Sequence, residues 1–125
     1  MRRPLSLWGP VALYMTLIFV LSSMSSPPVP SGGDKTLHLG GYMLFTVVVV
    51  RAVAGGLPRG ITLRTSTVAI AIVVGYAITD EWHQSFVSGR TAELGDLAAD
   101  VAGAFLGTGL CWAWGIIARA SRDEL

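Results

Sequence analysis

Residues 65–107 read TSTVAIAIVVGYAITDEWHQSFVSGRTAELGDLAADVAGAFLG, and the fold turns on how this stretch divides. Both flanks are mostly apolar, and a helix needs about 20 such residues to cross a hydrocarbon core. Between and against the flanks stand Asp80, Glu81, His83, Gln84, Arg90, Glu93, Asp96 and Asp100. A loop needs only enough polarity to stay wet. This segment carries more, in a place where charge is costly. Two membrane-spanning helices whose adjacent ends hold a polar cluster reconcile the two features.

Composition points the same way. The chain has 125 residues, room for one domain, with 52% hydrophobic and 14% charged residues; soluble domains carry about 25% charged residues. Mean hydropathy is +0.60. A small soluble domain has too much surface to cover with so few charges. A net charge of +1 says little about partners, and with no basic aromatic patch nucleic acid is not an expected one. The single cysteine, Cys111, lies in an apolar run, so neither a disulfide framework nor a zinc cluster is available. It reads as a small buried hydrophobe.

Working outward, four segments qualify as spans: about Leu5–Ser22, Leu37–Ala54, Thr65–Gln84 and Leu97–Ala118. The expected fold is an all-α four-transmembrane-helix bundle, one domain over residues 1–125. The linkers fit. SSMSSPPVPSGGD and GGLPRGITLR are rich in Pro, Gly and Ser, and SFVSGRTAELGD carries Gly89 and Gly95. Arg2 and Arg3 before the first run resemble a secretory leader, but the run is long for one and SSMSSPP has no A-x-A site, so an uncleaved helix is expected. The RDEL ending reads as a chance match to a retention tail.

Four spans put the termini and the middle connection on one side, with Arg2, Arg3, Arg51, Arg59, Arg64, Arg119 and Arg122. The other side has only Lys35 and Arg90. Basic residues favour the cytoplasmic side, so both termini are expected there, in a bacterial cytoplasmic membrane. Asp34, Asp80, Glu81, Glu93, Asp96 and Asp100 then form an outward-facing polar site.

Helical spacing decides which of these side chains share a face. Asp34, His38 and Tyr42 follow one another at i, i+4 and i+8, Asp80 and Gln84 at i, i+4, and Asp96, Asp100, Gly103 and Gly107 at 4, 3, 4. The last pattern sets two carboxylates above a G-x-x-x-G close-approach face, expected to pack within the chain, with a homo-oligomer as the alternative use. Asp96 also suits a helix N-cap. Lys35, His83 and Glu93 read as wet headgroup-layer charges and Trp82 as part of an interfacial aromatic belt. For Asp80, His38 and Asp100, deeper in the spans, idleness is too costly, and a partner or a wet cavity is expected.

Clustered carboxylates repel one another, which suits one of them to hold a proton as a general acid or base; His38 beside Asp34 makes an oriented base. The candidate acid/base cluster is Asp80, Glu81, His38 and Asp34. The candidate substrate-binding residues are Arg90, Gln84, Tyr42, Asp96, Asp100 and Lys35, with Arg90 suited to bidentate contact with an anion such as phosphate. No cofactor is named by the pattern; carboxylates plus one His suit a hard divalent cation, but the spacing fixes no coordination geometry.

Three stretches, DKTLHLGGY, DEWHQSFVSGR and DLAADVAGAFLG, resemble the VanZ-like family of small bacterial membrane proteins. The family pattern opens with Asp-Lys-x-x-His and a following Tyr, matched by Asp34, Lys35, His38 and Tyr42. It continues with Asp/Glu-Glu-x-x-Gln and a Gly-Arg turn, matched by Asp80, Glu81, Gln84, Gly89 and Arg90. It closes with Asp-x-x-x-Asn and glycines, where Asp96, Gly103 and Gly107 match and Asp100 replaces the Asn. The resemblance covers Asp34 to Gly107 and implies a membrane protein of the cell envelope. The family's founding member is associated with reduced susceptibility to the glycopeptide antibiotic teicoplanin, so the resemblance links the chain to antibiotic resistance at the level of the family, without making this chain a resistance determinant.

Three functions remain open on the residues. The first is a membrane-embedded modifier of an envelope lipid or glycan precursor. The second is a non-enzymatic binding or antagonist module for a glycopeptide or envelope ligand, with Tyr42, Trp82 and Phe86 lining it. The third, a small ion-coupled carrier, is weakened because no ionisable ladder reaches the cytoplasmic half. Membrane lipids are the expected surroundings in each.

Overall fold

The computed structural model describes residues 2–24, 34–58, 60–89 and 93–123, without the side chains of Arg2 and Asp34. Its elements are four helices: α1 Arg2–Ser23, α2 Asp34–Ala54, α3 Leu63–Gln84 and α4 Leu94–Asp123. All are long and apolar enough to cross a membrane. No strand occurs among the described residues.

Local signals set the helix limits. At the end of α2, Gly56 N donates to Arg51 O at 2.9 Å and Gly55 N to Ala52 O at 3.3 Å. These paired bonds form a Schellman stop, which needs the left-handed φ of +77° at Gly55. Thr62 caps α3: its hydroxyl accepts from Thr65 N at 3.1 Å, and Thr65 Oγ1 accepts from Thr62 N at 2.8 Å. α3 thus starts before its apolar run. α4 extends beyond its run at both ends.

α2 and α4 make the most extensive helix pair, α2 and α4 each also pack on α3, and α1 rests on α2 and α3. Glycine explains the closeness of the first pair. A Cβ at Gly103 would sit 2.6 Å from Leu39 O, and one at Gly107 would sit 2.5 Å from Met43 O. No side chain fits there, so the two glycines let α4 lie directly on the α2 backbone. The face expected to mediate close approach packs within the chain.

The core is small: Phe45, Val49, Val50, Ala69, Val73, Ala77, Ala104 and Cys111 are buried. α1 joins it through tyrosines that donate across helix pairs. Tyr14 Oη donates to Gly41 O at 2.7 Å and Tyr76 Oη to Met15 O at 2.6 Å. Meanwhile Leu13 is 73% exposed and Ile117 64%. In water, apolar surface on that scale would drive association; against lipid it is the required exterior, with backbone polar groups satisfied inside each helix.

Candidate functional site

The chain reverses direction at each connection, so the end of α1, the start of α2, the end of α3 and the start of α4 meet at one end of the bundle. Among the described residues every buried charged side chain lies there: Asp80, Glu81, Asp96 and Asp100. The packing that seats Gly103 against α2 also brings Asp100, one turn earlier, toward His38.

His38 and Asp100 form the centre of the site. His38 Nδ1 lies 2.7 Å from Asp100 Oδ1, and Asp100 is fully buried. A proton on Nδ1, donated to the carboxylate, places the lone pair of a neutral ring on Nε2. Asp100 thus orients the ring from α4; the expected pairing of His38 with Asp34 involves a side chain outside the described atoms. The His38 and Tyr42 rings are parallel, with centroids 6.4 Å apart.

Asp80 is held on both oxygens. Ser22 Oγ donates to Oδ1, and Tyr42 Oη donates to Oδ2 at 3.1 Å. Gln84 Nε2 donates to Ser22 Oγ at 3.2 Å, closing a network over three helices. Ser22 is the residue that the sequence reading missed. It stands in a serine-rich stretch that looks like ordinary linker polarity, and its role follows only from α1 ending beside α3.

Glu81 is buried as well. Its Oε1 accepts from Glu93 N at 2.6 Å, tying the end of α3 to the start of α4. Glu81 Oε2 and Asp100 Oδ2 are buried with no hydrogen-bond partner among the described residues. Buried acceptors are normally paired, so these two atoms are where the site has acceptor capacity to spare.

At the rim, Lys35 Nζ lies 3.1 Å from Glu93 Oε2 and 3.7 Å from Asp96 Oδ1. Two of the three charges expected to be idle, Lys35 and Glu93, are thus partners, half in water. Asp96 belongs to the first turn of α4, which starts two residues earlier, so it is not the cap residue; a carboxylate there still favours the helix N-terminus. His83 sits 3.2 Å from Ser23 Oγ, and Trp82 and Phe86 form an exposed edge-to-face pair. Arg90 lies outside the described residues. Among those that are described, no group of three His, Cys, Asp or Glu is arranged to hold a metal ion.

Toward the middle and other end of the bundle, the buried polar side chains are hydroxyls: Thr46, Ser66 and Thr108. Each bonds locally or across one helix pair, as with Trp112 Nε1 donating to Ser66 Oγ at 2.8 Å. The described residues contain no buried ionisable path from one end to the other.

A family model described as VanZ/LLP1 matches residues 7–117. No curated protein and no solved structure matches the chain. The match takes in α2 and α3, most of α1 and α4, the His38–Asp100 pair and the Asp80 network, and a chain of four spans matched over that length belongs to the VanZ-like family of multi-pass membrane proteins.

Proposed function

We propose that the chain is a membrane-embedded enzyme that modifies an envelope lipid or glycan precursor, with its polar end on the extracytoplasmic side of the bacterial cytoplasmic membrane. The observation that carries this reading is the His38–Asp100 pair at a site where Asp100 Oδ2 and Glu81 Oε2 are buried with no hydrogen-bond partner among the described residues. His38 takes a proton from a hydroxyl or a water of the substrate, and Asp100 holds the ring and steadies its charge as the proton arrives. Glu81, protonated on its uncommitted Oε2, gives that proton to the leaving oxygen as the bond to it breaks, and the proton taken up by His38 returns to Glu81 through water. Ser22, Tyr42 and Gln84 fix Asp80, whose charge offsets the growing imidazolium. Asp34 completes the acid/base cluster, Arg90 contacts an anionic group of the substrate, and Lys35 and Asp96 line the entrance.

A second reading, a binding or antagonist module for a glycopeptide, is favoured by the exposed Trp82 and Phe86 at the same end. Complementation separates the two. A strain lacking the protein is given Asp80→Asn, Glu81→Gln, His38→Gln or Arg90→Lys chains, and envelope and teicoplanin sensitivity are scored with membrane levels checked by blot. An enzyme loses its phenotype in Glu81→Gln and His38→Gln while inserting normally. If those two retain it and Trp82→Ala loses it, the binding reading replaces the enzymatic one.

A further inference from the structure

We infer that the opposite end of the bundle binds the phosphate of an anionic phospholipid, in a cleft between α4 and the connection from α2 to α3. The cleft has a volume of about 210 Å³, with Pro58 and Ile61 on one side and Trp112, Gly115, Arg119 and Arg122 on the other. A water's share of liquid volume is about 30 Å³, so the space admits a phosphate with part of its glycerol. A Cβ at Gly115 would lie 3.2 Å from Pro58 O, so glycine lets the connection rest against α4 here. The bond from Trp112 Nε1 to Ser66 Oγ, 2.8 Å long, fixes the indole in the wall.

The arginines at this end differ in what occupies them. Arg3 donates to Gly55 O at 3.0 Å and Arg51 to Ser6 O at 2.9 Å, so both serve the fold. Arg119 commits only Nε, to Gly115 O at 3.3 Å in its own helix. Arg122 has no partner among the described residues, and the terminal nitrogens of Arg119 have none either. Two guanidinium groups one turn apart on one cleft wall match a phosphate, which arginine binds through paired donors.

Depth selects the source of that phosphate. α4 has 30 residues and is about 45 Å long, against about 30 Å of hydrocarbon. About 20 residues counted from Leu97 end near Ile116, which puts Arg119 and Arg122 at headgroup depth. Pro58, Ile61 and Trp112 supply apolar walls for the glycerol and the first acyl carbons, and an indole favours that layer. A free anion would use only the arginines. This site is separate from the acid/base end and stands whether or not that end is catalytic.

The test is native mass spectrometry of the full chain in a neutral detergent, titrated with phosphatidylglycerol, with phosphatidylcholine, or with inorganic phosphate. Arg119 and Arg122 are exposed, so R119Q/R122Q leaves the packing intact. The wild-type chain should retain one phosphatidylglycerol, and R119Q/R122Q should bind it about tenfold more weakly or worse. R64Q, which removes an exposed arginine outside the cleft, should match wild type, and millimolar phosphate should not displace the lipid. Equal affinity of R119Q/R122Q and wild type would overturn the proposal. So would an equal loss in R64Q, which means diffuse surface charge, or displacement by phosphate alone, which means a free-anion site.

Discussion

At one end of the bundle, Asp80, Glu81, Asp96 and Asp100 are buried between helices and tied to His38, Ser22, Tyr42, Lys35 and a backbone amide. At the other end, Arg3, Arg64, Arg119 and Arg122 are exposed, and those with partners reach backbone carbonyls. A long basic side chain at a span's end can run out to the interface, so its charge asks little of the packing. A short acidic side chain cannot. A charge at the centre of a span costs roughly 2.5–3.5 kcal/mol on insertion scales, and near the end the cost falls only if water or a partner is at hand. The acidic end therefore depends on the helices meeting in one register, whereas the exposed arginines of the basic end need little more than helix length to reach the interface.

The largest effect should come from breaking that register. Gly107→Leu places side-chain atoms where Met43 O already lies, and Gly103→Leu meets both Leu39 O and Met43 N. Overpacking typically costs about 1–3 kcal/mol, and backbone atoms cannot swing aside as side chains do. Either variant should empty the monodisperse peak in fluorescence-detected size exclusion, while Gly109→Leu, which meets nothing within 4 Å, should not.

Next come the two central groups. Under the proposed reaction, His38→Gln and Asp100→Ala should each lower turnover of the envelope precursor by about 10²-fold or more, the usual contribution of a general base, with membrane levels near wild type. Asp100→Asn should lose less, because the amide oxygen still accepts from Nδ1. It also restores the residue usual in the family pattern, so it tells a carboxylate requirement from a positional one.

A smaller effect is expected at Ser22→Ala, which removes a donor from buried Asp80 and an acceptor from Gln84. Leaving a buried acceptor short of a partner costs about 1–3 kcal/mol, read as a lower melting temperature in lipid nanodiscs. Lys35→Gln should matter least. Its ion pair with Glu93 has more than half of each side chain exposed, such pairs contribute about 0–1 kcal/mol, and its approach to buried Asp96 is longer, at 3.7 Å. A loss at Lys35 as large as that at Ser22 would mean the rim is drier than its exposure indicates.

The four spans could be read from apolar run length because lipid, unlike water, demands continuous hydrophobicity. The helix ends could not. α2 starts at Asp34 and α4 runs to Asp123, since polar residues remain helical once a span has nucleated the helix. α3 starts at Leu63 because Thr62 and Thr65 cap it mutually, a pairing that usually announces itself with Glu or Gln. Most of the polar cluster was also legible, from 4- and 3-residue spacings on single helices. Pairings between helices were not. Periodicity places Asp34 and His38 on one face but says nothing of the depth at which α4 meets α2. The glycines at 103 and 107 signalled close approach, yet the partner backbone, and with it the His38–Asp100 bond, depends on rotation and offset of whole helices. Ser22 was hidden for the same reason.

The most direct test of the central claim is a double-mutant cycle between His38 and Asp100. Lipid-linked envelope precursors would be profiled by mass spectrometry in cells lacking the protein, complemented with wild type, His38→Gln, Asp100→Ala or both, at matched membrane levels. If the pair is one catalytic unit, each single change abolishes the wild-type shift in the profile, and the double change does no further harm. A wild-type profile restored by either single variant, or losses that simply multiply in the double variant, would contradict it.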